Sequence, residues 1–265
     1  MVSVSGNSTS DDLTLINGSK VGVIGGGPAG SFFSYFLLDL AKRSNISIEL
    51  DIYEPQDYTK QGPIGCNHCG GIVSESLVQI LASEGINIPS NVIQNGIDSY
   101  VMHTDVGSSR IDTPLVEKRI AAMYRGAGPL KSLDFAHDSF DSFLLNLAIG
   151  KGAAFINDRV RKIELRDGRP ILVSQSRNEQ EYDLVVGAIG LNPRSIKMFS
   201  DLDFGFKAPE PTKTFITEFE LGKDMVDKFF GSSMHVFLIN IPKLKFAAII
   251  PKGNYVTLAM LGSEI

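Results

Sequence analysis

The chain has 265 residues, of which 43% are hydrophobic, and its formal net charge is −5. This balance is typical of a globular protein with a sizeable core, and the lack of a basic excess argues against nucleic acid as a partner. With only two cysteines in the sequence, the chain is not a disulfide scaffold.

The first twenty residues are rich in Ser, Asn, Gly and Asp, and we predict a disordered tail over residues 1–19. This segment lacks the basic cluster and apolar run of a signal peptide. No apolar stretch of the sequence approaches the roughly 20 residues that span a bilayer. The sequence therefore predicts a cytoplasmic location. A peripheral contact with a membrane stays open, because an apolar surface patch is invisible in sequence.

The next three elements are predicted to be a strand, a helix and a strand. Val21–Ile24 is a short apolar run that ends in glycines, which is typical of a buried parallel strand. Gly30–Arg43 predicts a helix that is apolar almost all round, and Ile46–Tyr53 predicts a second strand. This order and these lengths are those of a β-α-β crossover unit.

The remaining elements alternate between helices and short strands. Helices are predicted at 74–84 and from Asp138 or Ser139 onward, and a hairpin at 100–112 is predicted to turn at Gly107-Ser108-Ser109. Strands are predicted at 153–156, 160–165, 171–174 and 184–188. Those at 214–221, 234–240, 245–250 and 255–261 are predicted to form a different, mostly antiparallel sheet.

A glycine-rich motif joins the first strand to the first helix. Gly25-Gly26-Gly27-Pro28-Ala29-Gly30 fits G-x-G-x-x-G, and Glu54 ends the following strand. In such a turn Gly25 permits the tight bend, Gly27 lets the backbone approach a pyrophosphate, and Gly30 lets the helix pack closely on the strand. The motif therefore predicts a dinucleotide site.

The chemistry of this site follows from its helix and its acidic residue. The helix opening at Pro28 and Ala29 presents unpaired N–H groups and a positive dipole end to phosphates. Glu54 can accept hydrogen bonds from both hydroxyls of an adenosine ribose, and it would repel a 2′-phosphate, which argues against NADP here. These arguments leave FAD and NAD open.

Three stretches resemble the flavoprotein superfamily of geranylgeranyl reductases and aromatic-hydroxylase-type monooxygenases. They are the glycine motif with Tyr53-Glu54, the segment Cys69-Gly70-Gly71, and Asp183–Gly190; the helix start at Phe140–Leu145 is also similar. The resemblance implies FAD as cofactor, with Gly190 and the Cys69 segment near it. It also implies NAD(P)H as electron donor and a small-molecule or lipid substrate.

The reaction implied by the resemblance is the reduction of an apolar, isoprenoid-like alkene by reduced flavin. A flavin-dependent monooxygenase is the alternative within enzymes, and a non-catalytic dinucleotide-binding relative is the alternative from another class. Two departures favour the latter. Ile189 stands where the superfamily usually has Asp, and the chain contains no Gly-Asp pair. We expect that the chain lacks the C-terminal part of the flavin domain, or that it is a short relative that has lost the flavin.

Several other residues are candidates for chemistry. Cys66-Asn67-His68-Cys69 allows a metal site, a redox dithiol, a flavin-facing loop or inert thiols. We favour the flavin-facing loop, with Cys69 near the reacting region, and predict no metal. Arg125 is a candidate to neutralise a flavin phosphate; the alternative is that Arg125 is a solvated residue of a loop. The four histidines, at positions 68, 103, 137 and 235, are predicted to be structural or exposed.

These interpretations predict an α/β protein with two parts. A Rossmann-like FAD-binding domain is predicted over 20–98 and 130–196, and a partial substrate domain with a mostly antiparallel sheet over 99–129 and 197–265. The oligomeric state is left open by the sequence.

Overall fold

The computed structural model describes residues 14–65, 69–132, 138–202 and 204–263. The chain forms two compact units. Unit 1 comprises Met1–Pro55 and Leu144–Pro209, and unit 2 comprises Gln56–Phe143 and Glu210–Ile265. The predicted domain bounds differ from these units over 56–98, 130–143 and 197–209, and the roles assigned to the two domains stay predictions.

The described elements alternate throughout the chain. In the first part they are β1 (Ser19–Ile24), α1 (Pro28–Arg43), β2 (Ile48–Tyr53), β3 (Ile72–Val73), α2 (Glu75–Ser83), β4 (Ile93–Ile97), β5 (Ser99–Thr104), β6 (Gly107–Asp112), β7 (Ile120–Met123) and α3 (Phe140–Gly150). They continue with β8 (Ala154–Ile156), β9 (Val160–Arg166), β10 (Arg169–Ser174), β11 (Glu179–Glu181), β12 (Leu184–Gly187), α4 (Pro193–Ser200), β13 (Lys213–Glu220), α5 (Lys223–Phe229), β14 (Ser233–Leu238), β15 (Leu244–Lys252) and β16 (Tyr255–Gly262). Two 3-10 turns lie at Gly62–Gly65 and Pro114–Val116.

Unit 1 is built on a parallel sheet with the strand order β12-β1-β2-β8. Its central strands are apolar and buried, and Val21, Val23 and Ile52 have no solvent exposure. A second, antiparallel sheet in the order β11-β10-β9 completes the unit. Inside its core the Tyr53 hydroxyl lies 2.8 Å from that of Tyr182. The parallel pairing of β1 with β2, with α1 between them in the chain, confirms the predicted β-α-β unit.

Unit 2 contains a six-stranded sheet in the order β13-β16-β15-β14-β5-β6. All neighbours are antiparallel except β14 and β5. We call the face that carries Ala248 and Ile250 the inner face. A small sheet of β3, β7 and β4 packs on it through Ile97, Ile120 and Ala122. The predicted α/β class, with a parallel sheet and a mostly antiparallel sheet, is confirmed.

Two predictions made from the sequence are wrong, namely the position of the hairpin turn and the end of the tail. The hairpin turns at Asp105 and Val106, and Gly107 already begins β6, because the three residues proposed as the turn pair with β5. The predicted tail ends too late, since β1 starts at Ser19 and the Gly18 amide donates to the Ser47 carbonyl. Residues 1–13 of that tail lie outside the described residues.

Several short elements were not predicted from sequence. They are β3, β4, β7, β11, α4 and α5, of two to eight residues each. Such strands acquire their regular structure by pairing with distant strands, a contact that local periodicity does not encode. Among the described residues, no helix combines the length and apolar character needed to cross a membrane.

Candidate functional site

The glycine motif forms the turn between β1 and α1. Gly25 has φ +109°, and a Cβ there would lie 2.3 Å from the Ala188 carbonyl oxygen. A Cβ on Gly30 would lie 1.8 Å from the Gly25 carbonyl oxygen. These two glycines are therefore required by the backbone of the turn itself. The Gly25 amide donates to the Tyr53 carbonyl, which ties the turn to the end of β2.

Gly27 differs from the two glycines around it. It is the N-cap residue of α1 with φ −66° and ψ −174°, a backbone conformation open to any residue. No side chain caps this helix end, and its first turn holds no acidic residue. The first amides of a helix have no intrahelical acceptor, so this end offers N–H groups and a positive dipole end to an anion.

Glu54 is held against the same turn. Its side chain is buried, and its Oε2 accepts a hydrogen bond of 2.9 Å from the Gly26 amide. A Cβ on Gly26 would lie 2.9 Å from the Glu54 Cβ, so the two residues are in contact. A carboxylate has two oxygens and accepts about four hydrogen bonds. The bond to Gly26 fixes the orientation of the carboxylate, a role that sequence reasoning missed.

The turn lies at a topological switch point of the parallel sheet. From β1 the chain passes through α1 to β2 on one side, while β12 lies on the other side of β1. The Ala188 amide, just after β12, donates to the Ile24 carbonyl at the end of β1. Ligands of open α/β sheets bind outside the carboxyl ends of the strands at such a point.

The segment after β12 explains the departure at Ile189. Ile189 packs against a buried apolar cluster that contains Ile24 and Met198, so an apolar side chain fits where an Asp would lose its hydration. Gly190 has φ +56° and no atom within 4 Å of the place of a Cβ. Its glycine is therefore explained by backbone conformation, and its contact with a cofactor stays a prediction.

The Cys69-Gly70-Gly71 segment belongs to unit 2. A Cβ on Gly71, where φ is +66°, would lie 1.9 Å from the Met123 carbonyl oxygen, and one on Gly70 would lie 2.8 Å from the Ile250 Cδ1. Packing against backbone therefore explains Gly71, whereas a Cβ at position 70 would meet only the end of the Ile250 side chain. Cys69 is partly exposed. Cys66 and His68 lie outside the described residues, so the metal and dithiol interpretations stay untested.

Lys252 lies next to this segment and was not singled out by sequence reasoning. Its side chain is 1% exposed, and its Nζ lies 4.4 Å from the centroid of the Tyr124 ring. Burial lowers the pKa of Lys252 to about 8, although Glu218 and Cys69 act in the opposite direction. A signal was present in the sequence, since Lys252 is a charged residue that directly follows the apolar run of β15.

Arg125 is engaged with Asp141, the second residue of α3. Its Nη2 donates to Oδ2 at 2.6 Å, and its Nε lies 3.1 Å from both carboxylate oxygens. Asp141 has no solvent exposure, so this charge-assisted pair anchors the start of α3 to the loop after β7. Arg125 is therefore an ion-paired side chain that keeps 29% exposure, and its contact with a flavin phosphate stays a prediction.

Two histidines form a hydrogen-bonded pair on the opposite face of the six-stranded sheet. His103 Nε2 lies 2.9 Å from His235 Nδ1, and His103 Nδ1 lies 2.7 Å from the Ser108 hydroxyl. Burial lowers the pKa of His235, and the neighbouring His103 and Arg110 lower it further. The prediction of a structural role fits both rings; His68 and His137 lie outside the described residues.

This pair predicts a pH dependence of stability. Because the His235 pKa is lowered on folding, the unfolded chain takes up the proton first as the pH falls. We expect the free energy of unfolding to decrease as the pH falls below about 6.5, and His235→Gln to reduce that slope. Urea unfolding at a series of pH values measures it. Equal slopes in both proteins would contradict the assignment.

Solved structures of other proteins have the same fold as this chain, although comparisons of families and curated proteins find no match. No protein-family model and no curated protein matches the chain. Solved structures do. A flavin-dependent halogenase, BrvH from Brevundimonas sp. BAL3, aligns with 92% of the chain at 14% identity and a TM-score of 0.62. The chain shares its fold with flavin-dependent halogenases.

Two further structures have the same fold. Halogenase PltM in complex with phloroglucinol and FAD aligns with 92% of the chain at 14% identity and a TM-score of 0.62. An oxygenase of 2-methyl-3-hydroxypyridine-5-carboxylic acid aligns with 93% at 16% identity and a TM-score of 0.58. This chain covers 52 to 59% of the three proteins, so it spans little more than half of their length.

Proposed function

We propose that this chain carries the ADP-binding portion and part of the substrate-binding portion of an FAD-dependent oxidoreductase. The observation that carries the proposal is the uncapped start of α1 beside the Glu54 carboxylate. Together they provide amide donors for a pyrophosphate and an acceptor for ribose hydroxyls. The fold shared with flavin-dependent enzymes supports FAD over NAD.

The residues of the turn fit this cofactor. Gly25 and Gly30 leave no room for a side chain, which keeps the turn tight, and Gly27 adds no side chain at the helix opening. FAD would supply the redox chemistry, because amino-acid side chains do not accept a hydride. Cys69, Gly70, Gly71, Arg125 and Gly190 are proposed to contact other parts of it.

The favoured reaction is hydride reduction of an apolar alkene of isoprenoid or lipid type, with NAD(P)H as the electron donor. The inner face of the six-stranded sheet supports an apolar substrate. One row of facing residues across five strands is apolar, and strand register places it on that face: Met102, Val236, Ala248, Ala259 and Ile216. Ala248 is covered by the small sheet of β3, β7 and β4, and Glu218 and Lys252 lie on the same face, so the partly exposed members of this row are the part that suits a hydrocarbon chain.

A monooxygenase is the second candidate, because one protein of the same fold is an oxygenase. The two reactions are distinguished by oxygen. NAD(P)H oxidation that an aromatic compound stimulates, and that stops when oxygen is removed, would favour the monooxygenase. Anaerobic turnover with an alkene would favour the reductase. Tight adenine-nucleotide binding without any flavin binding would favour the non-catalytic relative.

Glu54→Gln tests the ribose contact. The amide can still accept from Gly26 N–H but has lost the negative charge that strengthens hydrogen bonds from hydroxyls. We expect the dissociation constant for FAD to rise about tenfold, or about 1.4 kcal/mol, with little change in stability. Flavin fluorescence titration measures the affinity. An unchanged constant would remove Glu54 from the proposed site, and absence of flavin binding by the wild type would refute the function.

A further inference from the structure

Lys252 carries a buried charge that the proposed function does not yet use. It ends β15 on the inner face of the sheet, two residues after Ile250, and is 1% exposed. Throughout the described part of the chain, no carboxylate oxygen lies within 4.0 Å of the Lys252 Nζ, the limit for an ion pair. Burying such a group costs free energy, and groups of this kind concentrate at functional sites.

The Lys252 ammonium lies next to the backbone of the Cys69-Gly70-Gly71 segment. The place of a Cβ on Gly71 is 3.0 Å from Nζ, so a side chain at position 71 would meet the ammonium. Gly71 is in turn held by a hydrogen bond from the Met123 amide to its carbonyl. The positive charge is therefore held at a defined position against the backbone of this segment.

The charge of Lys252 has no ion-pair partner among the described residues, although Glu218 and Cys69 interact with it electrostatically. Tyr124 presents its ring, and Tyr255 stands opposite Lys252 on β16. Glu218 is two strands away, on β13, in a row with Thr257, whose buried hydroxyl has no hydrogen-bond partner among the described residues. Burial raises the pKa of Glu218 and the positive charge of Lys252 lowers it, so the two groups interact although they form no direct ion pair.

We propose that Lys252 is a positioning residue of the flavin site, whose buried ammonium favours the reduced cofactor through the Cys69–Gly71 segment. The inference rests on the proposed function, in which that segment faces the flavin. Two electrons and one proton leave a flavin with one additional negative charge. A fixed cation in a poorly solvated environment stabilises that charge more than it stabilises the neutral oxidised form.

The test compares affinities for oxidised and dithionite-reduced FAD in the full chain. Lys252→Met removes the charge and keeps the length of the side chain, and Lys252→Arg keeps the charge. Lys245→Met makes the same charge change at an exposed position of the same strand. We expect Lys252→Met to weaken binding of reduced relative to oxidised FAD at least tenfold, which lowers the two-electron potential by about 30 mV. The other two variants should stay within threefold of the wild type.

A second readout is the pH profile of this ratio. In the wild type the preference for reduced FAD should decline above pH about 8, where Lys252 loses its proton, and Lys252→Met should show no such decline. A folded Lys252→Met protein whose ratio matches the wild type would overturn the inference and leave the proposed function standing. A wild type that binds no FAD would refute both.

A control without flavin establishes that each variant is folded and that Lys252 is buried as described. Between pH about 8 and 10.5 the native state has released the Lys252 proton while the unfolded chain retains it. The wild type should therefore gain stability over this range as the pH rises, and Lys252→Met should lack that gain. A wild type without the gain would show that Lys252 is solvated, and this also overturns the inference.

Discussion

Replacing Gly27 by valine is expected to weaken FAD binding at least about 100-fold, or about 2.7 kcal/mol, while the protein stays folded. The valine side chain would stand at the opening of α1, where the proposed pyrophosphate approaches the helix amides. The backbone of Gly27 has φ −66°, which valine adopts without strain. The loss should therefore come from occupied space at the ligand, with about 1 kcal/mol or less from folding.

Gly27→Ala is the matched control for this prediction. Its single methyl group projects less far, so we expect an intermediate loss of affinity. Titration with ADP beside FAD separates the two ends of the cofactor, since both ligands carry the diphosphate and only FAD carries the flavin. Valine and wild-type proteins with equal affinity for both ligands would exclude the helix opening as the phosphate site.

Gly30→Ala is expected to destabilise unit 1 by about 3 kcal/mol or more, with or without ligand. The new Cβ would lie 1.8 Å from the Gly25 carbonyl oxygen and 3.2 Å from the Ala188 Cβ. Neither the turn nor the end of β12 can move away without breaking the hydrogen bonds that join β1 to its neighbours. Urea unfolding followed by circular dichroism measures the effect.

Gly150→Ala provides the control for a helical glycine. Gly150 ends α3, and no atom lies within 4 Å of the place of its Cβ, so alanine should be neutral or stabilise the helix by a few tenths of a kcal/mol. If the Gly30→Ala protein were as stable as the Gly150→Ala protein, the description of α1 as closely packed on the turn would be contradicted. The contrast with Gly27 then separates glycines needed by the fold from the glycine needed by the ligand.

Local patterns were sufficient for the β-α-β unit. Apolar runs mark β1 and β2, the glycine cluster marks the turn, and Glu54 follows β2 at the expected spacing. These features act between residues close in sequence, so their physical meaning does not depend on the rest of the fold. The hairpin at 99–112 shows the limit. Both strands were predicted, but the turn was placed at Gly107-Ser108-Ser109 instead of Asp105 and Val106, because register is set by cross-strand pairing.

The chemistry of single residues depended on partners distant in sequence. From sequence Arg125 was a candidate phosphate ligand or a solvated loop residue, and only the structure showed its pairing with the buried Asp141. His103 and His235 are 132 residues apart in sequence, yet their rings share a hydrogen bond. No pattern in either neighbourhood encodes these contacts, because they arise only when strands and loops pack.

The sequence by itself determined the glycine-rich turn, the acidic residue Glu54 beside it and the α/β class, since each follows from spacing and periodicity along the chain. Only the tertiary structure distinguished Gly25 and Gly30, which the backbone requires, from Gly27, whose backbone conformation any residue can adopt. Only the tertiary structure also showed that Lys252 is buried next to Gly71. Burial and close approach depend on which surfaces meet in space, and that information is held jointly by residues far apart in the chain.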